Sequence, residues 1–303
     1  MAHYASERHR HHLFLLPSKR IRTAKKQKRS RRCWSEQPNS PKTNLKDDSH
    51  MNNVLDSPLL VFTFSFIAFW FSANVGAFFR KKLRPMEPNQ REDFGVLQGS
   101  ALTLLSLLIG FTFSMAISRY DQRKMYEEAE ANAIGTEYVR ADVLPAADAA
   151  SARELLKRYL DQRVLFYTTR NVQQLRQIDA NAVQLQSELW SAVEARAVTQ
   201  PTPITGLALS GMNDVLNSQG YTQAAWWNRI PFEAWVLLTA IAMGCNLLVG
   251  YGAHQTSTLL LLVLPLVASV SFFLIADIDS PRGGLVRVQP QNLVSLAQTL
   301  HAH

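Results

Sequence analysis

Four windows of about 20 predominantly apolar residues, each long enough to cross a bilayer as a helix, constrain this chain more than anything else in it. They run from about Pro58 to Phe79, Val96 to Ser118, Phe232 to Gly252 and Thr256 to Ile275. In hydrocarbon every backbone N–H and C=O needs a partner inside its own segment, so such windows fold as helices. The mean hydropathy of −0.09 hides them because the rest of the chain is polar. Arg80-Lys81-Lys82 stops the first window, Arg119 the second, and Asp277 and Asp279 the fourth. The third is entered through Trp226-Trp227-Asn228-Arg229-Ile230-Pro231, where two tryptophans and an arginine suit a membrane–water boundary. Few residues separate the last two windows, which predicts a tight antiparallel hairpin.

Between the two pairs lie polar residues of mixed charge with helical signals and no useful strand alternation. Tyr120 to Val143 continues the second span unbroken as far as Pro145. Ser151-Ala152-Arg153-Glu154 reads as a capping box opening the next helix, with Leu155, Tyr159, Val164 and Phe166 along its apolar face. Pro201 and Pro203 interrupt the chain before a last helix leads to Trp226. The expected fold is an all-α membrane protein with four transmembrane helices and a helical extramembrane region between the second and third. Its parts are a basic tail at 1–50, a first transmembrane pair at 51–118, the helical region at 119–228, a second pair at 229–279 and a C-terminal tail at 280–303.

Charge is unevenly placed. Residues 1–50 hold 13 Lys/Arg against 4 Asp/Glu, so the excess of positive charge belongs to this segment alone. It is expected to be disordered. It reads as a nucleic-acid or anionic-lipid binding tail, as a transit peptide, or as sequence upstream of a start at Met51. No nucleic-acid partner is expected unless the tail belongs to the mature protein. Basic residues near span ends favour the cytoplasm. Arg119, Arg123, Lys124, Arg229, Arg282 and Arg287 stand against Arg80, Lys81, Lys82, Arg84 and Arg91, with Lys42 and Lys46 added to the first group. The balance favours a cytoplasmic middle region in a multi-pass inner or plasma membrane protein.

The second span carries the most information. At 100° per residue, Ser100, Thr103, Ser106, Gly110, Ser114 and Ser118 gather within an arc of roughly 120°. Phe111 and Phe113 border that arc, and Leu104, Leu108 and Met115 are expected on the opposite flank. Two readings fit the stripe: small residues letting two helices approach closely, or a water-accessible face offering hydroxyls and aromatic edges to a permeating ion. No charge lies within a span, which argues against a proton-coupled pump or a voltage sensor. Interhelical hydrogen bonding is expected for Asn74 and Asn246, and a buried structural role for Cys245. Cys33 and Cys245 are too few for a disulfide framework or a four-cysteine zinc site. No phosphate-cradling glycine loop, HExxH or CxxC occurs. No enzyme activity, metal or cofactor is expected.

The run Leu108-Ile-Gly-Phe-Thr-Phe-Ser-Met-Ala-Ile-Ser-Arg-Tyr-Asp-Gln-Arg, continuing to Glu127, Glu128 and Ala129, resembles the second helix of bestrophins. Ala131-Asn132-Ala133-Ile134-Gly135-Thr136, Asn228-Arg229-Ile230-Pro231 and Asp277-Ile278-Asp279-Ser280-Pro281-Arg282-Gly283-Gly284-Leu285 add local matches. Over about residues 55–298 the chain is similar to the prokaryotic bestrophin-like four-span family, and remotely to bestrophins proper. That resemblance implies a homo-oligomer, a pentamer, in membrane lipid, passing inorganic anions such as chloride with the second helix lining the pore. It implies Leu107, Phe111 and Ser114 near a neck, Ser100, Thr103, Gly110 and Ser118 along the pore face, and Tyr120, Asp121 and Arg123 in a vestibule. A non-conducting scaffold or sensor whose helical region binds a partner is the alternative. Lys124-Met125-Tyr126 replaces the family's tryptophan-rich continuation, and the N-terminal Arg-Phe-Pro element and acidic calcium run are missing. Asp277 and Asp279 are too few for a Ca²⁺ cage and are expected to cap the fourth span and pair with Arg282.

Overall fold

The computed structural model describes residues 57–82, 87–253 and 260–302, so the basic segment 1–50, Met51 and Cys33 lie outside the described residues. Eight α-helices follow in order: α1 (Pro58–Lys82), α2 (Pro88–Arg140), α3 (Ala146–Thr168), α4 (Val172–Thr199), α5 (Pro203–Trp227), α6 (Phe232–Gly252), α7 (Leu260–Asp279) and α8 (Gln291–His301), with a short 3₁₀ turn at Ala141–Val143. No strand occurs among the described residues. Among the described residues, four helices are long and apolar enough to cross a membrane.

Local chemistry sets the boundaries. Pro88 opens α2 behind a reciprocal Glu87–Gln90 capping box. The helix then runs 53 residues, about 80 Å at 1.5 Å per residue, more than twice the thickness of a hydrocarbon core. One rigid rod therefore serves both the membrane and the helical region beyond it. Leu144 is extended and Pro145 stands as the N-cap of α3. Ser151 consequently lies inside α3 and not at its start, correcting the capping box expected there, because the break at Pro145 already frees the chain to begin a helix. Asn171 caps α4, its side chain accepting from the backbone N–H of Gln173 and Gln174 at 2.8 and 3.3 Å. Thr202 and Thr205 form the capping box of α5, with Pro203 in its first turn.

The molecule has two apolar cores. The membrane core joins Phe69, Leu105, Ala116, Trp235, Leu238, Phe272 and Ile275. Phe272 meets Phe69 and Trp235 edge-to-face, with centroids 5.1 and 5.9 Å away. The second core, beyond the membrane, joins Ile134, Leu156, Tyr159, Leu189, Met212 and Leu293. α8 packs on α2 and α3, so part of the segment after 279 forms a wall of the helical region.

Close helix packing does occur through small residues, but between α1 and α6. A Cβ on Gly76 would lie 2.1 Å from the Leu247 carbonyl oxygen, and one on Gly250 would lie 1.9 Å from that of Ala73. Ser72 Oγ donates to the Met243 carbonyl at 2.7 Å across the same seam. α6 and α7 each pack on α1 more extensively than on one another, so the expected hairpin is only a loose pair. The two asparagines also differ from expectation. Asn74 donates to the Trp70 carbonyl and Asn246 to that of Ala242, each within its own helix.

Candidate functional site

The predicted stripe on α2 turns away from the rest of the protomer. Ser100, Thr103, Ser106, Gly110, Ser114 and Ser118 are all exposed, as are Leu107 and Phe111. Nothing lies within 4 Å of a Cβ placed on Gly110. Leu105, Thr112 and Ala116, across the helix, enter the protein interior. Leu104 and Met115 join the exposed side instead of opposing it, and only Leu108 turns partly inward. The hydroxyls of Ser100, Thr103 and Ser106 donate to the carbonyls of Val96, Gly99 and Leu102, each at 2.9 Å. Their lone pairs, not their protons, therefore face outward.

Beyond the span, the opposite side of the same rod decides its rotation. Arg123, Glu127, Glu130, Ile134 and Glu137 recur every three or four residues, and all are buried. Arg123, expected at a vestibule surface, is instead 1% exposed. Its guanidinium donates to the carbonyls of Ala225, Asn228, Ile278 and Asp279, gathering the C-terminal ends of α5 and α7. Burial pulls its pKa down to about 10, partly opposed by Asp279. Of the other two vestibule residues, Asp121 is exposed and Tyr120 is half-buried against the second core.

Glu127 accepts from the Leu293 backbone N–H at 3.0 Å and from Asn292 Nδ2 at 2.7 Å, and so anchors the start of α8. Glu130 pairs with Arg163, with both side chains fully buried, and also accepts from Thr222 at 3.1 Å and the Tyr167 hydroxyl at 3.4 Å. Burial disfavours the charge on Arg163, yet Glu130 and, to a smaller extent, Tyr159 and Tyr167 together more than offset it and the pKa is raised. Burial, with Glu130 adding to it, pushes the phenols of Tyr159 and Tyr167 upward. Glu137 stands against Gly211, where a Cβ would fall 1.9 Å from its Oε2. Burial raises its pKa to about 8. These carboxylates escaped the sequence reading, although their spacing on one face was a legible signal.

Two hollows border the membrane level. One, about 640 Å³, lies at the end of the stripe and is lined by Met115, Ser118, Arg119, Asp121, Gln122, Met125 and Asn228. Arg119 Nε and Nη1 are shielded from solvent and have no hydrogen-bond partner among the described residues. The other, about 860 Å³, lies where α3, α5 and the turn after α7 converge. Trp226, expected at the membrane interface, is a core residue 6% exposed, held between Phe166, Tyr167 and Arg282, whereas Trp227 is 75% exposed. Arg282 does not pair with the two aspartates as expected. It donates to the carbonyls of Phe166 and Thr169 at 2.8 and 3.0 Å. Asp277 accepts from the backbone of Leu285 and Val286, and Asp279 from that of Ile230. Cys245 is buried, its thiol facing the Ala101 carbonyl at 3.3 Å. Among the described residues, no three His, Cys, Asp or Glu side chains are grouped to hold a metal ion.

Four apolar helices, one of them prolonged into an extramembrane helical bundle, define a multi-pass all-α membrane protein. The bestrophin-like domain profile matches residues 67–293, and the chain belongs to the bestrophin-like family. Its fold is similar to that of a bacterial bestrophin homologue from Klebsiella pneumoniae. One structure of that protein superimposes with a TM-score of 0.57 at 12% identity, covering 79% of this chain and 97% of the other. Another gives 0.55 at 14% identity, covering 80% and 95%. A third structure, described as a membrane protein, gives 0.52 at 12% identity, covering 80% and 94%. No curated protein matches the sequence.

Proposed function

We propose that copies of this chain assemble as a ring, a pentamer, whose α2 helices turn their exposed stripe toward a common axis and pass inorganic anions along it. The observation that carries the reading is the orientation of the stripe. Small and hydroxyl-bearing residues that could have packed against the chain's own helices face outward, while α1 and α6 supply the close small-residue seam. Leu107 lies on that exposed face and Phe111, 61% exposed, borders it, and the two suit an apolar neck. The unpartnered N–H groups of Arg119 at the end of the stripe favour anions over cations. In this reading the bundle lies in the cytoplasm, which the distribution of basic residues near the span ends supports.

A second reading, a non-conducting scaffold, has one observation in its favour. The hydroxyls of Ser100, Thr103 and Ser106 already donate to their own helix, which suits dry packing against another copy. Chloride flux into liposomes from the purified full chain separates the two. Flux that changes several-fold in Phe111→Ala, with a reversal potential following the chloride gradient, is the expected outcome. Background flux in both proteins, or a potential following the cation gradient, defeats the anion pathway. Crosslinking that stops at a dimer defeats the ring.

A further inference from the structure

The larger hollow is separate from the α2 stripe, and neither the fold nor the proposed pathway uses it. It lies beside the start of α6, one of the helices long and apolar enough to cross a membrane. Its wall includes the last turn of α5 and the residues that lead into α6, beside the turn that leaves α7. The ends of these membrane helices are tied together by the Ile230 N–H, which donates to both oxygens of Asp279 at 3.2 Å.

Three guanidinium groups, Arg170, Arg229 and Arg282, line the hollow with one carboxylate, Asp179, an excess of positive charge. Arg282 is the best placed of them. Its guanidinium stacks 4.6 Å from the Phe166 ring and 4.3 Å from the Trp226 ring. Its Nη1 is held by the carbonyls of Phe166 and Thr169 at the end of α3. The Nε–Nη2 edge, the fork that grips an oxyanion in two parallel hydrogen bonds, therefore has no acceptor among the described residues. Burial lowers the pKa of Arg282 only to about 10, so it stays charged at neutral pH. Trp226, almost wholly buried in the same wall, has an Nε1–H without a partner. Trp227, also in the lining, and Phe232, next in the chain after the lining residue Pro231, are exposed, and Val236 continues the apolar face of α6 one turn further on.

We infer that this hollow binds the phosphate of an anionic membrane lipid, with the phosphate on the Arg282 fork, Arg170 and Arg229 supplying further charge, and the acyl chains lying along α6. A volume of about 860 Å³ accommodates a glycerophosphate headgroup. The same phosphate chemistry is available from a soluble ester, and the membrane-level position beside an apolar helix face selects the lipid.

The test is a native mass-spectrometric titration of the detergent-solubilised full chain with dioleoyl phosphatidylglycerol, dioleoyl phosphatidylcholine and glycerol 1-phosphate. The expected result is saturable phosphatidylglycerol binding, several-fold tighter than phosphatidylcholine, and weakened about fivefold by Arg170→Gln, the contribution of one basic side chain at an anionic surface. Arg170 is exposed, so its substitution leaves the fold intact. Arg282→Lys, which keeps the charge and removes the fork, is expected to weaken binding further; should that variant not fold, Arg170→Gln decides. Arg158→Gln, at another exposed arginine that borders a different hollow, is expected to bind as the wild type. Three outcomes overturn the inference: equal affinity for the two lipids, equal losses in Arg170→Gln and Arg158→Gln, or glycerol 1-phosphate binding as tightly as the lipid.

Discussion

Replacing Glu137 with glutamine isolates the strain that a single buried carboxyl imposes on the helical region. The side chain is 1% exposed on the α2 face that meets α5. The Arg140 guanidinium is 4.0 Å from Oε2, too far for a hydrogen bond, and Asp214 adds like charge from α5. Gly211 lets the carboxyl lie against the α5 backbone, so there is no room for it to leave. Its pKa rises from 4.5 to about 8. Between those values the folded protein holds a proton that the unfolded chain has released, so stability falls as pH rises through the window. Each full unit is worth about 1.4 kcal/mol, and because the folded carboxyl is half ionised at pH 8 the loss between pH 6 and pH 8 is roughly 2 kcal/mol. At a few degrees per kcal/mol, that corresponds to a melting temperature lower by on the order of 10 °C. Thermal unfolding of the detergent-solubilised full chain at pH 6, 7 and 8 measures it. Wild type should lose this stability while Glu137→Gln holds nearly level, the two converging only near pH 4.5 and below. Parallel curves for the two proteins would refute the assignment of a neutral carboxyl at this position.

Two further outcomes probe the seams of the fold. Gly76→Ala drives a methyl group into the Leu247 carbonyl at 2.1 Å, an atom that cannot retreat; a loss of about 1–3 kcal/mol is expected. Gly110→Ala meets open space and should not lower protomer stability, so comparable losses in the two proteins would contradict the packing described. Arg163→Met leaves the buried Glu130 carboxyl without its ion partner and should cost about 3–5 kcal/mol. Adding Glu130→Gln should recover much of that loss, and a double-mutant cycle by thermal unfolding reads the coupling.

Much of the architecture was legible locally. Apolar windows of bilayer length, the unbroken continuation of the second helix, and the breaks at Pro145, Pro201 and Pro203 are properties of short stretches, and the helices follow them closely. The gathering of Ser100, Gly110 and Ser118 on one side of α2 is likewise arithmetic on a 3.6-residue turn. Partner choice was not legible. Glu127 meets the backbone of a residue 166 positions away, and Arg123 reaches carbonyls more than 100 positions away. No periodicity in α2 announces which distant chain end will need capping. For the same reason Arg282 went to the end of α3 rather than to Asp277 or Asp279, and Trp226 into a core rather than an interface.

Residue pattern alone thus settled that this is a four-span helical membrane protein and which side chains share a face of its longest helix. Folding decided where that face points. A rigid helix of 53 residues has one rotation about its axis. Arg123, Glu127, Glu130 and Glu137 are accommodated only inside the bundle beyond the membrane, and burying them swings the serines and glycine of the same rod outward, clear of the chain's own helices.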